Sequence, residues 1–262
     1  GDITLSLPAL VGPDGGPLDP PSQPAINALE IEAPFAPASP PASGLVRTAA
    51  AGDLIFGTYL GGGGNEDGQA VAVDGAGGVY VTGMTNAADF PTTPGAFDVA
   101  LGGFFDTYVA KLNPDGTALA YAAYLGGDGG ELGYDLAGDQ AGQAYVTGYT
   151  RSPDFPLTPG AYKTSLDGLT DAFVVKLNAT GTGLIYGTVV GGSYLEWGYG
   201  LALDQAGSVY LTGLTTSADL PTTPGAFQAG PGGAAGYYDS FVVKLNPGGS
   251  ALEYSAYLGG DD

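Results

Sequence analysis

Every side chain here that could do chemistry offers oxygen, or one of a few amines and guanidiniums. The 262 residues include no Cys and no His. That removes thiolates, imidazole bases, Ser-His-Asp triads and thiolate- or imidazole-bound metals. What remains is 27 Asp and Glu, an inventory suited to hard cations. Three of these acids, Glu66, Glu131 and Glu196, stand 65 residues apart, each in a Gly-rich crossover between strand-like runs. Asn65, Asp67 and Asp128 add oxygen donors nearby. Crossovers that face a common axis would let the three carboxylates converge on Ca2+, which takes about 6–8 oxygens. The alternative is three solvated carboxylates that cap their own loops. Neither an EF-hand spacing nor a Gly-Gly-x-Gly-x-Asp array is present, and no other cofactor is expected.

Catalysis by carboxylates needs two acids in different environments. Most acids here recur at turn positions and no pair stands apart, so the chain reads as a non-enzyme. Lys111, Lys176 and Lys244 also recur at one place in each unit. They read as structural partners of Asp106, Asp171 and Asp239. Asp74, Asp139 and Asp204 sit where an Asp accepts hydrogen bonds from its own turn. Asp89, Asp154 and Asp219 are expected to act alike. Repeated aromatics, Tyr80, Tyr145 and Tyr210 or Phe97, Tyr162 and Phe227, read as packing. Aromatics that do not recur say more about function. Tyr194, Trp197 and Tyr199 cluster beside Glu196, to stack on a sugar, to enter a subunit contact or to pack locally, the last two being favoured.

Charge narrows the partners. Six Lys and Arg give a net charge of -21, which repels nucleic acid and anionic membranes. No apolar stretch approaches the roughly 20 residues of a membrane span. A 44% hydrophobic fraction is too high for a disordered chain. The start at Gly1 and a single internal methionine, Met84, suggest processing after secretion.

The elements that position these residues are repeated. Thr58–Gly62 recurs at Ala123–Gly127, Thr188–Gly192 and Ala256–Gly260. Val79-Tyr80-Val81-Thr82-Gly83 recurs at Ala144–Gly148 and Val209–Gly213. Pro91–Phe97 and Tyr108–Asn113 recur likewise, at a step of 65 residues that becomes 68 in the last unit. Each unit holds four strand-like runs, with Asp-x-x-Gly and Asn-x-x-Gly turns and no helical period. Four short antiparallel strands per period describe a propeller blade. Tyr-Leu-Gly-Gly, Asp-x-x-Gly-x-x-Tyr-Val-Thr-Gly, Asp-Phe-Pro-Thr-Thr-Pro-Gly-Ala-Phe and Asp-x-Phe-Val-Val-Lys-Leu-Asn-Pro, in that order, resemble the SBBP beta-propeller repeat of bacterial surface and secreted proteins. The resemblance spans about residues 54–262 and implies an all-β propeller fold outside the cytoplasm, with no catalytic residues to carry over.

Three complete blades are expected at about 69–125, 134–190 and 199–258, within a repeat region 51–262, and one extra strand, Leu54–Leu60, precedes them. Propellers close with about four to eight blades, so three leave apolar faces open. Residues 1–50 hold ten of the 20 prolines and read as an extended arm. Two alternating stretches in it, marked by Ile3, Leu5 and Leu7 and by Leu29 and Ile31, could add a strand to a sheet in this molecule or a neighbour. The expected function is a non-catalytic, self-assembling subunit of a surface layer, fibre or adhesin whose partners are copies of itself. The alternatives are a module that binds a glycan or surface protein, or a piece of a larger closed propeller.

Overall fold

Alternation in the repeated runs turns into strands because one face of each run is apolar and the turns between them are fixed by Asp, Asn and Gly. The computed structural model describes residues 28–32, 54–233 and 237–260; among these there is no helix. The first blade comprises β3 (Glu66–Val73), β4 (Val79–Thr85), β5 (Asp106–Leu112) and β6 (Leu119–Leu125). The second comprises β7 (Glu131–Gly138), β8 (Ala144–Thr150), β9 (Asp171–Leu177) and β10 (Leu184–Val190). The third comprises β11 (Glu196–Leu203), β12 (Val209–Thr215), β13 (Asp239–Leu245) and β14 (Leu252–Leu258). Each is a four-stranded antiparallel meander in chain order.

The first strands begin three residues before the expected limits. Glu66, Glu131 and Glu196 therefore open a strand rather than sit in a crossover. The alternation that marks Gln69–Asp74 starts only after a bulge, and the pairing continues through it to Glu66.

Two further strands, β1 (Ala28–Glu32) and β2 (Leu54–Tyr59), form a two-stranded antiparallel sheet. β2 stands at the fourth-strand position of a blade, and β1 takes the third-strand position beside it. Ala28 pairs with Tyr59 as Tyr108 pairs with Tyr124, and the register shifts after Ile31 as it does after Lys111. The strand carrying Leu29 and Ile31 thus pairs with β2 of its own chain. Ile3, Leu5 and Leu7 lie outside the described residues.

Successive blades stack face to face, and their first strands approach one another. Tyr80, Val109, Tyr121 and Leu125 on the forward face of the first blade meet Leu136, Val146, Phe173 and Val175 of the second in one core. Tyr145, Val174, Tyr186 and Val190 repeat that contact against Val209, Leu211, Phe241 and Val243 of the third. The rear face of the first blade, with Val79, Tyr108, Ala110 and Leu112, is covered in part by Phe56 and Leu60. A turn locks each junction. Gly181, at φ +67°, lies under the Tyr121 ring so closely that a Cβ would overlap it, and Gly249 lies under Tyr186 in the same way. The backbone N–H groups of Phe97 and Tyr162 donate to the carbonyls of these two glycines, at 2.8 Å each.

Candidate functional site

The three glutamates do not converge. Each closes the crossover of its own blade, and among the described residues no group of three acids could hold a metal ion. Glu131 is fully buried. Its carboxylate accepts hydrogen bonds from the hydroxyls of Thr150 (2.8 Å) and Ser152 and from the Gly127 N–H (3.1 Å). Glu196 is buried alike, accepting from Thr215 and from the Gly192 N–H at 2.9 Å. Glu66 accepts from Thr85 at 2.8 Å. A carboxylate whose lone pairs face fixed internal donors is a poor ligand for a free ion, so the Ca2+ expectation gives way to a structural role.

Burial pushes Glu131 and Glu196 above the usual carboxylate range, against their hydrogen bonds. The folded chain therefore holds these protons more tightly than the unfolded chain. Stability from this source is fully present below pH 4.5, the ordinary glutamate value, and is lost as pH rises through the elevated folded values. The melting temperature is expected to rise on acidification from neutral pH toward that value. In Glu131→Gln, scanned by calorimetry across the same range, the slope should flatten.

The repeated lysines choose other partners than expected. Lys111 lies 2.9 Å from Asp74, Lys176 lies 3.9 Å from Asp139, and Lys244 lies 3.4 Å from Asp204 and 2.7 Å from Glu253. The third strand runs beside the second, so its lysine reaches the turn that opens the second strand, over the ring of Tyr80, Tyr145 or Tyr210. Asp106 and Asp171 instead accept N–H groups from the loop before them, and Lys163 joins Asp171 at 2.8 Å. Asp74, Asp139 and Asp204 do accept from their own turns. Asp89, Asp154 and Asp219 accept from the preceding crossover, at Gly63, Asp128 and Ser193.

Of Tyr194, Trp197 and Tyr199, the structure brings two together and leaves one apart; Tyr199 in fact recurs, at Tyr134 of the preceding unit. Trp197 and Tyr199 are 6.3 Å apart, centroid to centroid, and join Tyr149 (5.8 Å from Trp197) and Tyr134 (4.8 Å from Tyr199). The Arg151 guanidinium lies 5.5 Å over the Tyr149 ring. Tyr194 is exposed and stacks with none of these rings. Tyr134 and Tyr149 come from the second blade, and sequence reasoning passed over them. Aligning units at the 65-residue step would have marked both, since the first unit has Gln69 and Met84 there. The rings of the second blade thus pack against those of the third, and among the described residues the covered Trp197 indole N–H has no partner.

The family model described as a beta-propeller repeat, SBBP, matches residues 55–91 and again 185–221. Two segments of the chain match the SBBP repeat. No curated protein matches it. Each SBBP match runs from the fourth strand of one blade through the second strand of the next, across a junction. Residues 120–156 stand at the same step between the two matches. In this chain each matched segment therefore spans the junction between two sheets rather than one whole blade. Two forward faces are covered by a following blade, and among the described residues none covers the third.

Proposed function

We propose that this SBBP-repeat protein is a non-catalytic structural component of a bacterial cell surface or secreted material that self-assembles through the forward face of its third blade. One comparison supports the reading. Tyr121 and Tyr186 are 1% and 2% exposed, whereas Tyr254 at the same repeat position is 38% exposed. Leu258 is open in the same way where Leu125 and Val190 are buried, and Phe227 stands out where Phe97 and Tyr162 pack on the next turn. Val242 and Leu214 complete an apolar sheet face of the kind the chain covers twice by its own blades.

A contact of standard size removes about 800 Å2 per partner from water. Apolar burial contributes about 25 cal/mol per Å2 before association costs. The charge of -21 opposes association at low ionic strength, so added salt should strengthen it. Sedimentation velocity over a concentration series tests this. The wild type is expected to associate, more so at high salt, and Val242→Asp and Tyr254→Asp to stay monomeric at unchanged melting temperature. A wild type monomeric at every concentration and salt overturns the reading.

A further inference from the structure

The two blade junctions differ beneath their first hairpin turns. Between the first and second blades, the Tyr80 hydroxyl donates to the Gly142 carbonyl at 3.1 Å and accepts from the Lys111 ammonium at 2.7 Å. That ammonium is also 2.9 Å from Asp74, so the junction is stitched across. Between the second and third blades the stitch is missing. The Tyr145 hydroxyl lies 3.3 Å from Asp139 of its own blade, as Tyr80 lies 3.2 Å from Asp74, but among the described residues it makes no bond to the third blade. Lys176 makes no hydrogen bond among the described residues and only a long 3.9 Å ion contact with Asp139. A cavity of about 700 Å3 lies there, bounded by Asp139, Gln140, Tyr145, Lys176, Asp204 and Gln205.

Lys176 is the odd member of its series. Its side chain is 12% exposed, while Lys111 and Lys244 each have a carboxylate within 2.9 Å. The ammonium lies 4.6 Å over the Tyr145 ring but gives no N–H to a hydrogen bond among the described residues, and a mostly buried donor is usually satisfied. Burial also holds its pKa below the ordinary lysine value, with the Asp139 charge opposing. The rest of the lining is rich in acceptors and amides: Asp139 and Gln140 from the turn of the same blade and Asp204 and Gln205 from the third, the glutamines at the position where the first blade has Gly75.

We propose that this inter-blade cavity binds a neutral saccharide of one or two units, with Lys176 donating to a sugar oxygen and Asp139, Asp204, Gln140 and Gln205 taking the hydroxyl protons. A hydroxyl both donates and accepts, so adjacent hydroxyls match a lining of one strong donor among acceptors. An anion would suit Lys176 but meets two carboxylates and a strongly negative chain. The volume falls within the roughly 300–1,000 Å3 of small-molecule sites. The site is separate from the open face of the third blade, and its failure would leave the assembly reading untouched.

Titration calorimetry of the full chain tests it with glucose, mannose, galactose, N-acetylglucosamine, maltose and cellobiose, and with glucuronate as the charged control. At least one neutral sugar should saturate. Lys176→Met, which keeps the stem and removes the donor, should weaken that binding at least tenfold, whereas Lys111→Met should leave it unchanged. Gln205→Ala, at an exposed position, gives a second reading should Lys176→Met fail to fold, with a several-fold loss expected. No saturation by any neutral sugar, tighter binding of glucuronate, or equal binding by wild type, Lys176→Met and Gln205→Ala would each overturn the proposal.

Discussion

Gly148→Ala is expected to cost about 3 kcal/mol or more, at the upper end of what overpacking does, and to lower the melting temperature by about 6–12 °C for a domain of this size. Gly148 pairs with Gly133 across the second blade, at the place where β7 bulges. A Cβ on Gly148 would lie far inside van der Waals contact with the Leu132 carbonyl oxygen, and no flexible side chain is there to give way. Gly83 faces the Asp67 carbonyl and Gly213 the Trp197 carbonyl in the same way. The conflict is backbone against side chain, so relief requires β7 to leave the ladder. Differential scanning calorimetry reads the cost. A loss below about 1 kcal/mol, the size of an ordinary surface change, would show that the bulge can move aside.

Tyr121→Ala should cost about 3–5 kcal/mol, the usual range for deleting a buried aromatic side chain, while Tyr254→Ala should cost less than about 1 kcal/mol in the monomer. The two residues occupy one repeat position, fourth strand, forward face. Tyr121 fills the space over the Gly181 turn and joins the core between the first two blades. Tyr254 has no such turn in front of it among the described residues and is 38% exposed. Chemical denaturation at low concentration measures both costs. Tyr254→Ala should also weaken association in proportion to the area it buries there. Equal costs for the two variants would mean that the third blade's forward face is covered within the chain, and the assembly reading would fall with it.

The repeat made much of this fold legible. Glycines, aspartates and aromatics recurring every 65 residues mark positions where the backbone must turn or a ring must be buried, and period-two alternation between them places the strands. The offset of the first strands was not legible, because Glu66-Asp67-Gly68 carries no alternation and pairs only through a bulge. The acids show the same limit. Spacing aligned Glu66, Glu131 and Glu196, yet only packing reveals that Thr85, Thr150 and Thr215 of the adjacent strand donate to their carboxylates.

Sequence alone determined the blade, its four strands, its turns and the chemistry excluded by the absence of Cys and His, because these depend on local pattern and residue type. Tertiary structure decided what those residues meet. Lys176 resembles Lys111 in every local respect, and differs in what its tyrosine does: Tyr80 accepts from Lys111 and donates to the Gly142 carbonyl, whereas Tyr145 makes neither bond among the described residues. Tyr254 resembles Tyr121, and differs because among the described residues no turn of a following blade packs over it. A repeat fixes what each blade offers. The neighbour, many residues distant, decides whether that surface becomes core, cavity or contact.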